Sequence, residues 1–283
     1  MKLAILILSM MLATAVAAGP IERRIYPAPR AALSLSGLPA GAAFIDVETS
    51  DGLKLKGIAI APESGKPVLL AFHGNGSSAR DAVSWLAPAL PKGWGLIAAE
   101  YRGYSGNPGR PSEAGLAADA DAFARYARTL AGGAPVWLFG HSLGGAVALS
   151  LAGRTDAKAV VTVGTFTRLR DAAPRIARAF VPDAYNNADV VPKLTVPYFL
   201  VHGTADDVIP AGHGQALHRA AGAAKRTGAS FVIMGADHGP PSEALAAVLR
   251  VAARDLDAGR PSAEGLPANI KLVPFGQTVS LNP

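Results

Sequence analysis

The chain predicts an α/β fold in which helices cover both faces of a mostly parallel sheet. Three observations predict it. The runs "PVLLAF", "GLIAA" and "AVVTV" are apolar without alternation, as strands buried on both faces are. Segments between the runs carry helical spacing: Leu116, Ala120, Phe123, Ala127 and Leu130 form one stripe, and Leu245, Val248, Leu249, Ala252 and Leu256 another. Strand and helix then alternate to about Asp257 with no internal repeat and no second-domain linker.

Taken in order, residues 1–18 read as a signal peptide, with Lys2, an apolar run from Leu3 to about Met11 and an A-x-A pattern at Ala15-Val16-Ala17. The uncharged stretch from Leu3 to Ala18 is 16 residues long, short of the roughly 20 that a membrane-spanning helix needs. A cleaved leader and a secreted or periplasmic protein are therefore expected. The alternative is an uncleaved N-terminal anchor, the one membrane contact this reading allows. Residues 19–43, with Pro20, Pro27, Pro29 and Pro39, read as an irregular lead-in. "AFIDVETSDGLKLKGIAIAP" gives an antiparallel hairpin around Ser50-Asp51-Gly52.

"PVLLAFHG" is the next strand, followed by a helix over "SSARDAVSWLAPAL" that Ser77 or Ser78 caps. "GWGLIAAEY" precedes the helix "PSEAGLAADADAFARYARTL", and "APVWLFG" precedes the helix after Ser142. "AKAVVTVG", "TVPYFLVHG" and "ASFVIMG" complete the strands, the last two each followed by a helix. The insertion at about 165–195 is longer than a crossover needs and is expected to form a short lid over the strand ends. One domain thus spans residues 44–257. Residues 258–283 form a Pro- and Gly-rich tail with an apolar patch from Ile270 to Phe275 and no assigned role.

Composition removes several function classes. The 283 residues include no cysteine, which excludes disulfides, a nucleophilic thiol and thiolate metal sites. The net charge of +6, or +5 without Lys2, comes from dispersed residues. The local exception, Arg168, Arg170, Arg175 and Arg178, has no aromatic interleaving, so it reads as a solvated helix face and no nucleic-acid partner is expected. A substrate with a nearby negative charge is the minority reading of those arginines.

Gly140-His141-Ser142-Leu143-Gly144 is a G-x-S-x-G pattern between an apolar strand and a helix of small residues. In that context it is a nucleophile elbow, a turn too tight for side chains at its flanks. A serine hydroxyl needs a base, and the base an orienting acid. Asp206 follows one predicted strand and His238 the next, so Ser142, Asp206 and His238 all arrive at the carboxyl edge of the sheet, where open α/β sheets bind ligands. Asp207 competes for the acid, but it adjoins the Val208-Ile209-Pro210 run that must pack back. Asp237 cannot readily orient its own neighbour and reads as loop chemistry. His213 and His218 are five apart, poor spacing for a shared metal, and His141 is expected to pack at the elbow. An oxyanion needs preorganised donors: the Leu143 N–H directly after the serine, and Asn75 in the loop His73-Gly74-Asn75-Gly76. Tyr101 and Arg102 are expected to brace the site from behind.

With "LAFHGNGSSA", "EYRGYSGNPGRPSEAGL", "GHSLGGAVAL", "VHGTADDVIP" and "DHG" in this order, the chain resembles the α/β-hydrolase superfamily. It is similar to the serine aminopeptidase-like and prolyl oligopeptidase-like branch. The resemblance implies the α/β-hydrolase fold, Ser142, Asp206 and His238 as the triad, Asn75 and Leu143 at the oxyanion hole, and neither metal nor organic cofactor. Proteins nearest in motif style are single-pass or secreted, and some remove acyl groups from proteins or lipids. The cysteine-free chain and the tail depart from that style.

The serine at the elbow argues against epoxide opening and halide displacement, which use a carboxylate there. The expectation is a serine hydrolase of carboxylic esters or thioesters with small to medium acyl groups, acting on a small-molecule ester. The alternatives are a peptidase or amidase using the same triad, and a binding protein that kept the fold without catalysis.

Overall fold

In a computed structural model of the chain, residues 25–172, 181, 185–259 and 261–280 are described. The leader read at residues 1–18 lies outside them, as do Arg175, Arg178 and Phe180. Among the described residues no helix is long and apolar enough to cross a membrane.

Nine strands form one sheet: β1 (Ala42–Glu48), β2 (Lys54–Ile60), β3 (Val68–Phe72), β4 (Gly95–Ala99), β5 (Val136–His141), β6 (Ala159–Val163), β7 (Tyr198–Gly203), β8 (Gly228–Ile233) and β9 (Ile270–Pro274). Their order is β1-β2-β4-β3-β5-β6-β7-β8-β9. β3 to β8 run parallel, and β1, β2 and β9 pair antiparallel at the two ends. Every residue of β3, β4 and β6 is buried, as strands covered on both faces require. Two apolar clusters, one on each side, make the core.

The longer helices are α1 (Ala79–Leu86), α2 (Glu113–Ala131), α3 (Leu143–Ala152), α6 (Ala211–Ala223) and α7 (Ser242–Ala258). Two single turns, α4 (Leu169–Ala172) and α5 (Asn187–Val190), lie in the segment expected as a lid. Local chemistry sets the helix ends. Ser78 caps α1 by accepting from the Asp81 N–H, and Ser112 caps α2 by accepting from the Gly115 N–H. Gly132 closes α2 in the left-handed region at φ 56°, which costs glycine little.

Three findings depart from the sequence reading. The tail supplies β9, whose Ile270 to Pro274 pair with Ala229 to Ile233 of β8. His218 of α6 anchors the end of this segment by bonding the Gln277 carbonyl through Nε2 at 2.8 Å and Ser230 Oγ through Nδ1 at 2.8 Å. The lead-in is irregular but docked: Tyr26 is buried, its hydroxyl 2.8 Å from that of Tyr185, and the Pro29 carbonyl accepts from the Ser105 N–H. Arg102 braces the fold, not the cavity. Its Nη atoms grip both oxygens of Asp51 in the hairpin turn at 2.7 and 3.0 Å, and its Nε donates to Asp119 of α2 at 2.8 Å. The bidentate partner holds Asp51 well below the usual carboxylate range.

Candidate active site

Because β3, β5, β7 and β8 are parallel, the loops leaving their carboxyl ends gather at one edge of the sheet. The loop after β3 holds Asn75, the turn after β5 holds Ser142, the turn after β7 holds Asp206, and the loop after β8 holds His238. A cavity of about 660 Å3 opens there, and Asn75, His141, Ser142 and His238 all line it.

Ser142 sits at φ 53° and ψ −116°, a region a serine enters only under strain. Its N–H donates to the Val163 carbonyl at 2.9 Å, tying the turn to β6. Leu143 is the first residue of α3, where a helix leaves N–H groups without internal partners. The tightness of the elbow is clearest at Gly144: a Cβ there would stand 2.0 Å from the Phe72 carbonyl oxygen of β3.

Asp206 and His238 are brought together. His238 Nδ1 lies 2.9 Å from Asp206 Oδ2, so Nδ1–H donates to the carboxylate and Nε2 is left as the basic nitrogen. The other carboxylate oxygen accepts from the N–H groups of Val208 and Ile209 at 3.0 and 2.8 Å. Burial works to raise the Asp206 pKa, but the bonds from His238 and Ile209 outweigh it and lower it. Asp207 is exposed. Of the run expected to pack back, Ile209 does so, whereas Val208 is 57% exposed and lines the cavity. Asp237 accepts from the Gly239 N–H at 2.9 Å, an Asx turn. His213 bonds Thr167 through Nδ1 at 2.9 Å, and His218 lies by the tail. No group of residues suited to a metal ion occurs among the described residues.

Several supporting residues escaped the sequence reading. His73 Nε2 bonds the fully buried Glu100 at 3.0 Å, and Glu100 also accepts from the Ala79 N–H at the start of α1 at 2.9 Å. The Tyr101 hydroxyl donates to the His73 carbonyl at 2.8 Å, which matches its expected bracing role. Asn75 accepts from the Tyr104 hydroxyl at 2.8 Å and donates to the Ile25 carbonyl, so the lead-in holds this loop. His202 Nε2 donates to the Ile209 carbonyl at 2.9 Å and lies 3.6 Å from Asp206, while its buried Nδ1 has no partner among the described residues. Gly164 passes beneath the pair, where a Cβ would come within 2.8 Å of His238 Nδ1. The His238 loop is pinned by His141, whose Nε2–H donates to the His238 carbonyl at 2.9 Å, and by Trp85, whose Nε1–H donates to the Pro240 carbonyl at 2.9 Å. No described residue of 165–195 lines the cavity.

His141 does pack at the elbow, 5.0 Å from the Trp85 ring and 4.6 Å from that of His238. Burial first, and then the neighbouring His238, push its pKa down to about 4. Its unfolded value is near 6.5, so its contribution to stability is complete above that pH and is lost as pH falls from 6.5 towards 4. Asp119, pushed up to about 6 by burial, acts in the opposite sense over part of this window. The informative quantity is therefore a difference. Between pH 7 and pH 5, wild type is expected to lose about 1 kcal/mol more stability than His141→Gln in urea unfolding, discounted for the ring's partial exposure. Equal losses would show that His141 is not held neutral.

Comparison with known proteins agrees with this architecture. A family model described as the alpha/beta hydrolase fold matches residues 67–188. An uncharacterised protein of Mycobacterium tuberculosis is 36% identical over 225 residues, covering 76% of this chain and 77% of its own. The chain belongs to the α/β-hydrolase family. Alpha/beta hydrolase domain-containing protein 17B of Xenopus laevis is 34% identical over 158 residues, 54% of this chain and 55% of that one. Among solved structures, the esterase domain of a Rhodothermus marinus protein is 20% identical, with a TM-score of 0.58 over 76% of this chain and 98% of that one. A Mycobacterium tuberculosis puromycin-hydrolyzing peptidase is 18% identical, with a TM-score of 0.64 over 81% of this chain and 41% of that one. At these identities the solved structures speak to the fold alone.

Proposed function

We propose that this α/β-hydrolase is a serine esterase acting on carboxylic esters or thioesters of small to medium acyl groups. The observation that carries the reading is that His238, bonded to Asp206, lines the same cavity as the strained Ser142. In the proposed mechanism His238 Nε2 takes the proton of the Ser142 hydroxyl as its oxygen attacks the ester carbonyl. Asp206 holds the imidazole in the required tautomer and stabilises the imidazolium. The oxyanion is met by the Leu143 N–H and by Asn75. His238 then protonates the departing alcohol or thiol, leaving the acyl group on Ser142. Water, deprotonated by His238, attacks that acyl group; the acid leaves, and serine recovers its proton from His238.

Purified mature chain should hydrolyse p-nitrophenyl esters with an optimum in the shorter half of a series from acetyl to palmitoyl. A fluorophosphonate should add its mass to the peptide containing Ser142. Labelling without ester turnover would favour amide substrates, and absence of both would favour a binding protein. A secreted or periplasmic setting remains part of the proposal and rests on the leader pattern of residues 1–18.

A further inference from the structure

The cavity beside Ser142 runs under helix α1, and its depth and its mouth differ in chemistry. The depth is apolar, with Phe72, Leu86 and Phe139 buried and the Trp85 ring edge-on to Phe139 at 5.9 Å. At the solvent end, one helical turn before Trp85, the cavity is lined by the exposed Asp81. No lysine or arginine lines it among the described residues, although the chain as a whole carries a net charge of +6. The negative charge at this cavity is therefore a local feature.

Asp81 also serves the helix. Its N–H donates to Ser78 Oγ at 3.2 Å, and its Oδ2 accepts from the hydroxyls of Ser78 and Ser77 at 2.8 and 3.4 Å. This capping arrangement uses one carboxylate oxygen and leaves Oδ1 without a partner among the described residues. The adjacent Arg80 forms no ion pair with it among the described residues; its Nη2 donates instead to the Ser36 carbonyl at 2.8 Å, and it does not line the cavity.

We infer that this end of the cavity is a subsite for a cationic ammonium group carried on an apolar stem, selected by Asp81 beside the Trp85 ring. The inference rests on the esterase reading of the same cavity and names its substrate class. A carboxylate at the mouth of an apolar-walled cleft raises the local concentration of cations, and low-dielectric walls concentrate the field. An ammonium group close to an indole gains further attraction. An anionic group at the same place meets repulsion with no lysine or arginine lining the cavity to relieve it, among the described residues.

The test compares charged and neutral isosteres. One pair of p-nitrophenyl esters carries the 4-(trimethylammonio)butanoyl or the 5,5-dimethylhexanoyl group. A second pair of acetate thioesters carries the 2-(trimethylammonio)ethyl or the 3,3-dimethylbutyl group on sulfur. In at least one pair the cationic member should be preferred by about tenfold in kcat/KM, the scale of one exposed ion pair plus a cation–π contact. The preference should shrink as salt rises from about 0.02 M to about 0.5 M, and Asp81→Asn should bring the ratio close to one. Because each ratio is taken within one protein, a change in folded fraction cancels. Ser142-dependent turnover with equal ratios in both pairs would overturn this inference alone. No turnover of any of the four compounds by protein that hydrolyses p-nitrophenyl acetate would likewise overturn the inference alone, whereas no turnover of these or of the acetyl-to-palmitoyl series would overturn the esterase reading and the inference with it.

Discussion

Ser142→Ala is expected to lower kcat for p-nitrophenyl acetate by about 10^4-fold or more while leaving the fold intact. The variant keeps the cavity, the Asp206–His238 bond and the backbone donors, so substrate can still enter and its carbonyl can still be polarised. It lacks the oxygen that forms the acyl bond. What remains is water attack assisted by His238, slower by several powers of ten in enzymes built this way. Alanine and serine carry the same Cβ, so the strain at φ 53° is unchanged and the urea midpoint should move little. A loss confined to KM would mean that Ser142 binds substrate but does not attack it. Retained kcat in a preparation free of other esterases would remove Ser142 from the mechanism altogether. The burst of p-nitrophenol that accompanies acyl-enzyme formation should vanish with the hydroxyl, which separates a lost nucleophile from a merely slowed one.

Local pattern carried the parallel part of the fold because burial on both faces leaves a local mark, an unbroken apolar run. The strand β9 left a weaker one. It is antiparallel, at an edge and ends in Pro274, and only Ile270 of its five residues is buried. Its partner in the sheet is set by contacts about 40 residues away in sequence, an order of separation that no local pattern reports. The same holds for the site. Ser142, Asp206 and His238 stand at strand ends beside glycines and turn residues, so their positions are readable; the choice of Asp206 over Asp207 rests on an argument about packing, and Asp206 is the one that lies 2.9 Å from His238. The supports were not readable. Glu100 meets His73 across 27 residues and Trp85 meets Pro240 across 155. A buried glutamate at the end of an apolar strand gives no sign in sequence of which donors it will find. Gly164 looks like any residue ending a strand until the imidazole is seen to rest on it.

Gly144→Ala is expected to destabilise the protein by at least about 3 kcal/mol, at the upper end of overpacking substitutions. On helix propensity alone the change should be favourable by about 1 kcal/mol, since alanine forms helix better than glycine. Sterics decide the sign. The new Cβ would stand 2.0 Å from the Phe72 carbonyl oxygen and 2.6 Å from that of His73, both backbone atoms at the end of β3 that cannot swing aside like a side chain. β3 is held on both flanks, by β4 and by β5, so relief must come from α3 moving outward. That motion would carry Leu143 and Ser142 away from the Asn75 loop, so kcat should fall in whatever fraction stays folded. Gly153→Ala, at the opposite end of the same helix, supplies the control. Its Cβ would meet only the Ser150 carbonyl oxygen at 3.8 Å, and its φ of −73° suits any residue. That variant should be neutral to about 1 kcal/mol more stable. Opposite shifts of the two urea midpoints would locate the strain of the elbow at the contact between β3 and α3. Similar shifts would mean that this contact yields, and that the glycine is not required for the approach.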